Sequence, residues 1–184
     1  MNKIKSFLVI SIAIIAISVV SVSAQSYKAG GSNKTIEQQV FKQILGLPNY
    51  GLFDNIKFEV NGDTVILSGK VNSLGTRKSA ERGVKKIGGV RNVINNIDEL
   101  PPSSFDNTIR RQLVGTLSQN GGSFYRYLQG TNPSVRLIVE NGRVTLEGYV
   151  ANRSDSNLAN ILANGIFGVF TVQNNLVVEN GRIN

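Results

Sequence analysis

The chain contains no cysteine, no histidine and no tryptophan, and only four prolines and one methionine in 184 residues. Each absence removes a class of function. Without cysteine there is neither a disulfide framework nor a redox-active thiol. Without histidine or cysteine no zinc site of the usual type can form, and no Ser–His or Cys–His nucleophile pair can exist. Acidic residues are the scarcer charge, 12 against 20 Lys and Arg, for a formal charge of +8. That excess invites an anionic partner, either nucleic acid or anionic lipid. With 41% apolar and 17% charged residues, the composition is that of a globular chain of one domain or two small ones.

Lys3 and Lys5 precede an apolar run from Phe7 to Val20, broken only by Ser11 and Ser18 and followed by Val22-Ser23-Ala24. A charged start, a short apolar run and a small-residue exit predict an export signal over residues 1–24, cleaved after Ala24. The run of 14 residues is shorter than the roughly 20 that a spanning helix needs, and retention as an N-terminal membrane anchor is the alternative. No cysteine follows it to carry a lipid. Residues 25–33 read as a flexible leader. Cleavage leaves 18 basic against 12 acidic residues, a charge of +6, and export argues against a nucleic-acid partner.

The remainder repeats itself. A shift of 79 positions lays Val60–Ile97 on Val139–Leu176 without a gap, matching Val65, Leu67, Gly69 and Val71 with Val144, Leu146, Gly148 and Val150. Ala80, Ile87, Gly89, Val90 and Val93 match Ala159, Ile166, Gly168, Val169 and Val172. Upstream, Ile36, Val40 and Ile44 match Ile109, Leu113 and Leu117 at a shift of 73, so the second copy holds six extra residues after its first helix. Repetition of this kind marks a duplicated structural unit.

Within each copy the spacing of apolar residues predicts the elements. Ile36, Val40 and Ile44 form one helix face behind a Thr35–Gln38 capping box. In the second copy Asp106 is the expected cap of the Ile109, Leu113 and Leu117 helix. Ile56, Phe58 and Val60 alternate with polar residues, Asn61-Gly62 turns the chain, and Val65, Leu67 and Gly69 resume, which predicts a hairpin. Leu137 to Leu146 repeat it around Asn141-Gly142. Ser73 or Thr76 is expected to start a second helix with Ala80, Val84 and Ile87 inward, closed by Gly88-Gly89. Its counterpart runs from Arg153 to Gly168. Last strands follow over 90–100 and 169–179. The predicted fold is α+β: two tandem αββαβ sandwich domains over 34–100 and 105–180, each a small mixed sheet with two helices packed on one face. Residues 101–104 form a Pro-Pro linker, and 181–184 form a tail.

This duplicated unit resembles the BON domain. The residues that carry the likeness are Val65-x-Leu67-x-Gly69-x-Val71, Ala80 and Gly89-Val90-x-x-Val93-x-Asn95-x-Ile97, with Val144-x-Leu146-x-Gly148-x-Val150, Ala159 and Gly168-Val169-x-x-Val172-x-Asn174-x-Leu176 in the second copy. The resemblance implies a periplasmic, non-enzymatic protein of the envelope-stress or osmoprotection type that binds anionic phospholipid or an envelope partner. A protein–protein adaptor or chaperone-like scaffold is the alternative it leaves open.

Three surfaces are candidates for such contact. At about 100° per residue, Lys78, Arg82, Lys85 and Lys86 share one face of the first copy's second helix, opposite its apolar stripe. They hold lipid headgroups or form a solvated face. Ile161 and Phe167 of the second copy insert at a membrane interface or pack against protein. Phe124, Tyr125, Arg126 and Tyr127 interleave aromatics with a cation in the extra segment, as a headgroup boundary does, or pack over the sheet edge. No carboxylate pair frames a pocket, so no catalytic residue, metal ligand or cofactor is expected. Asn95 and Asn174 recur at matching strand positions and are expected to make a buried side-chain-to-backbone hydrogen bond.

Overall fold

The computed structural model describes residues 35–119 and 122–179; the expected export signal, leader and tail lie outside them. The first copy runs α1 (Ile36–Leu45), β1 (Asn55–Asn61), β2 (Thr64–Val71), α2 (Thr76–Val84) and β3 (Asn92–Glu99). The second runs α3 (Ser104–Gln119), a 3-10 helix (Gly122–Tyr127), β4 (Val135–Glu140), β5 (Arg143–Val150), α4 (Arg153–Asn164) and β6 (Thr171–Val178). Each sheet has its second strand at the centre, antiparallel to its hairpin partner and parallel to the last strand. The registers repeat: Phe58 faces Leu67 as Leu137 faces Leu146, and Val65 faces Val93 as Val144 faces Val172. This is the expected α+β arrangement, duplicated.

The cores are built by the stripes that the periodicity marked. Val40, Ile44, Val65, Leu67, Ala80, Val84 and Ile97 are buried in the first copy, and Ile109, Leu113, Leu117, Val144, Leu146, Ala159 and Ala163 in the second. Asn95 donates its side-chain amide to the Arg77 carbonyl at 3.0 Å, and Asn174 does so to the Ser156 carbonyl at 3.1 Å. Each therefore ties the last strand to the helix before it. The bond to the backbone is as expected, but neither residue is buried.

Several element ends differ from expectation. Thr35 accepts from the Gln38 amide at 3.4 Å and caps α1. Ser103, not Asp106, caps α3, accepting from the Asp106 amide at 3.1 Å. Asp106 turns inward instead, and its two oxygens accept from the Asn141 and Gly142 amides, each at 2.9 Å. A carboxylate has two acceptor atoms, and the β4–β5 turn offers two unpaired donors that a cap position would leave unserved. Neither Ser73 nor Thr76 caps α2 with its side chain, because Gly75 occupies the N-cap. α2 and α4 stop at Val84 and Asn164, short of the expected glycines, and the last strands are two residues shorter at the start and one at the end. Because Asp106 is buried and its oxygens are both engaged, Asp106→Asn, which keeps one acceptor, should cost about 1–2 kcal/mol in urea unfolding. A loss under about 0.3 kcal/mol would show that the turn does not depend on it.

The copies dock asymmetrically within one compact unit spanning Lys34–Asn184. On the open edge of β4 the Leu137 amide donates to the Leu52 carbonyl at 2.8 Å, so the α1–β1 loop of the first copy adds to the second copy's sheet edge. Arg136 donates to the Gly51 carbonyl at 2.7 Å and stacks over the Tyr50 ring at 4.6 Å. Arg110, buried on α3, donates to the Val139 carbonyl at 2.6 Å. Lys57–Glu147, at 3.0 Å, and Lys70–Glu140 bridge the copies at the mouth of a polar cleft of about 560 Å³. Five of the six β4 residues are buried, against one of seven in β1: Val135, Leu137 and Val139 lie in the second copy's own core, and Arg136 and Ile138 face the first copy. The face of β4 away from its own helices is therefore buried, because the other copy covers it.

Candidate functional site

Each copy holds a groove between its two helices, and the two grooves are the same place in the duplicated unit. In the first copy Gln39, Lys42 and Gln43 of α1 face Gly83, Lys86 and Gly88 from α2 and its exit, around about 480 Å³. In the second, Gln112 and Thr116 of α3 face Ile161, Leu162 and Phe167 around about 560 Å³. Under the two shifts of the repeat, Gln39 corresponds to Gln112, Gln43 to Thr116, Gly83 to Leu162, Gly88 to Phe167 and Arg82 to Ile161. One site has thus diverged into a cationic groove and an apolar one.

Of the first candidate surface, Lys86 lines the cationic groove, and Lys78, Arg82 and Lys85 are not part of its lining. Lys78, Arg82, Lys85 and Lys86 are all exposed, because Ala80 and Val84 take the inward positions of α2. They are not equally available. Lys85 pairs with Glu81 at 2.6 Å, and this bond, with a second from the Asn95 amide, holds the Glu81 carboxyl below its ordinary value. Arg82 folds back, its Nε donating to the Lys78 carbonyl at 3.3 Å. Lys78 and Lys86 make no ion pair among the described residues, and neither does Lys42, which α1 adds to the groove. Lys42 was missed because its membership depends on how α1 crosses α2, which the spacing within either helix does not record.

The apolar groove ends in a tip. Ile161 is 67% exposed and Phe167 90%. Phe167 lies beyond the end of α4, in the loop to β6, rather than on the helix where it was expected. That loop also presents Phe170, 76% exposed, whose ring stacks on Phe105 of α3 with centroids 6.1 Å apart. Phe105 and Phe170 were not singled out from the sequence; their only signal there is aromatic residues outside the stripes that the repeat assigns to the cores.

The third candidate surface is divided by the structure. Phe124 is fully buried and Tyr127 nearly so, with their rings edge to face at 5.2 Å inside the second copy's core. Neither reaches the surface. The Tyr127 hydroxyl donates to Asp155 at 2.5 Å and accepts from the Ala151 amide at 2.9 Å. Arg126 lies over the Tyr127 ring and pairs with Asp155 at 3.0 Å. The segment ties the β5–α4 junction down, as Asp54 does in the first copy by accepting from the Asn72 and Ser73 amides at 2.6 and 3.2 Å. Tyr125 alone of the three aromatics stands exposed. Six extra residues need their own packing, and an apolar pair on a short 3-10 helix supplies it.

Among the described residues no group of His, Cys, Asp or Glu could hold a metal ion, and no helix is long and apolar enough to cross a membrane.

The BON domain model matches residues 32–101 and 106–180, most of the chain and in two segments. The chain belongs to the BON domain family. Its two BON copies are those read from the repeat. No curated protein matches the chain. Among solved structures, it is similar to the C-terminal domain of CdsD, a structural protein of the type III secretion system of Chlamydia trachomatis. The identity is 14% and the TM-score 0.32, covering 79% of this chain and 98% of that one. A second structure of the same protein is similar at 14% identity and a TM-score of 0.32, over 78% of this chain and 92% of that one.

Proposed function

We propose that this is an exported, periplasmic binding protein of the cell envelope that contacts anionic phospholipid at a membrane surface and catalyses no reaction. The observation that carries the reading is the cationic groove together with the α2 face, where Lys42 and Lys86 in the groove and Lys78 on α2 stand exposed and unpaired by any acid among the described residues. Membership of BON, a family of non-catalytic binding domains, supports it, as do the charged start and small-residue exit of the N-terminal segment.

The mechanism is electrostatic approach, in which headgroup phosphates replace water around the α2 face. Each Lys or Arg close to an anionic surface contributes about 1 kcal/mol. Lys78→Ala with Lys86→Ala should therefore cost about 2 kcal/mol, roughly thirtyfold in affinity. Co-sedimentation of the chain with vesicles containing phosphatidylglycerol measures it, and parental binding should fall as salt shortens the screening length. Absence of binding, or binding by the double variant equal to the parent, rules the reading out. The exposed apolar tip favours one second reading, a protein adaptor. It expects no vesicle binding under any condition and loss of a co-purifying protein on Ile161→Glu.

A further inference from the structure

We propose that the α4–β6 tip of the second copy is a wedge that inserts into anionic bilayers at sites of loose lipid packing. This rests on the phospholipid reading above and assigns the apolar half of the contact.

From Ser156 to Val178 the chain carries no charged side chain, whereas the matching stretch of the first copy, residues 77–99, carries nine. The structure leaves Ile161 and Phe167 of that stretch exposed around one groove, and Phe170, three residues on, exposed and stacked on Phe105. Soluble proteins rarely expose several large apolar side chains this close together in the chain without a partner for them.

Charge at the rim selects an anionic bilayer as that partner. Phe170 packs over Gly142, and the next residue, Arg143, is exposed and makes no ion pair among the described residues. Of the carboxylates near it, Asp106 is buried with both oxygens occupied by turn amides, and Glu140, opposite Arg143 in the β4–β5 register, is paired with Lys70. The tip therefore has an apolar point with an unpaired cation at its rim, and the carboxylates nearest that cation are already engaged by turn amides or by Lys70.

The outer side of α4 explains the preference for packing defects. Its polar residues are Asn157, Asn160 and Asn164, so α4 beyond Asp155 contributes no charge attraction of its own. Its binding free energy must come from apolar side chains entering roughly 5–10 Å into the headgroup boundary. That gain is larger where acyl chains are already accessible, as in strongly curved membranes. The stacked Phe105–Phe170 pair is ordered before contact, which lowers the conformational entropy lost on insertion.

The chain has no tryptophan, so Phe167→Trp places a single indole at the tip of the full chain. Phe167 is 90% exposed, and unchanged circular dichroism will confirm that the fold is kept. With phosphatidylglycerol vesicles, the fluorescence should shift to the blue and be quenched by brominated acyl chains, more on small sonicated vesicles than on large ones. In the parent background, Phe167→Ser with Phe170→Ser should abolish the binding that survives high salt and leave the salt-sensitive part. Bound protein whose indole stays open to an aqueous quencher would overturn insertion while sparing the electrostatic reading. Equal quenching on both vesicle sizes would overturn the preference for packing defects. No vesicle binding by parent or variant would overturn both proposals.

Discussion

Gly148→Ala should cost the protein more than about 3 kcal/mol and unfold the second copy at a markedly lower urea concentration. Gly148 sits in β5 at φ 112°, and a Cβ at this position would lie 2.0 Å from the Ser134 carbonyl oxygen and 3.0 Å from its carbon. Two separate costs add. The backbone conformation is one that side-chain-bearing residues rarely adopt, a strain of about 1–3 kcal/mol. The clash is with backbone rather than with a flexible side chain, so the start of β4 must move away from β5. Gly69 repeats the arrangement at φ 111°, where a Cβ would lie 2.1 Å from the Asn55 carbonyl oxygen, and Gly69→Ala should cost as much in the first copy. A shift in the urea midpoint worth less than about 1 kcal/mol for either variant would show that the edge strand yields easily.

Arg136→Ala is expected to uncouple the copies, with a loss of about 3 kcal/mol and a calorimetric transition that splits or broadens. Arg136 is 7% exposed, between the Gly51 carbonyl and the face of Tyr50. Burial pushes its guanidinium below the ordinary value, against the opposing pull of Tyr50 and Asp54. A buried hydrogen bond from a charged donor contributes about 1.5–3 kcal/mol, and a desolvated cation over a ring about 2 kcal/mol. The variant gives up both, and relaxation of the loop recovers part. Arg136→Lys should not rescue it, because an ammonium cannot stack flat on Tyr50 while reaching the Gly51 carbonyl. A single, unshifted transition in Arg136→Ala would mean that the β4 edge and the two inter-copy ion pairs hold the copies together unaided.

The candidate surfaces show how far a local pattern reaches. The face of Lys78, Arg82, Lys85 and Lys86 was legible because Lys78 and Arg82 lie on α2 and Lys85 and Lys86 directly follow its last residue, where a period of 3.6 residues decides which side chains share a side. That Lys85 is partly spent on Glu81 follows the same local geometry, as an i, i+4 pair. Phe124 and Tyr127 misled because interleaved aromatic and basic residues look alike whether they face lipid or a core. What separates the two is whether α3 and α4 leave room beneath the segment, and here they do. Phe105 and Phe170 lie 65 residues apart in sequence and stack only because α3 crosses the end of α4.

The sequence by itself determined that there are two copies, what each is made of, and which helix and strand residues of the repeat line each core. Helix and strand periods, turn residues and repeated glycines are local signals, and duplication prints each of them twice. Only the tertiary structure decided what the copies do to each other. It laid the first copy's Gly51-Leu52 loop on the β4 edge, turned Asp106 from a cap into a turn clamp, and made one inter-helix groove cationic and the other apolar. Those outcomes depend on contacts between residues distant in sequence, where steric fit and the pairing of buried donors and acceptors choose among partners that no local spacing distinguishes.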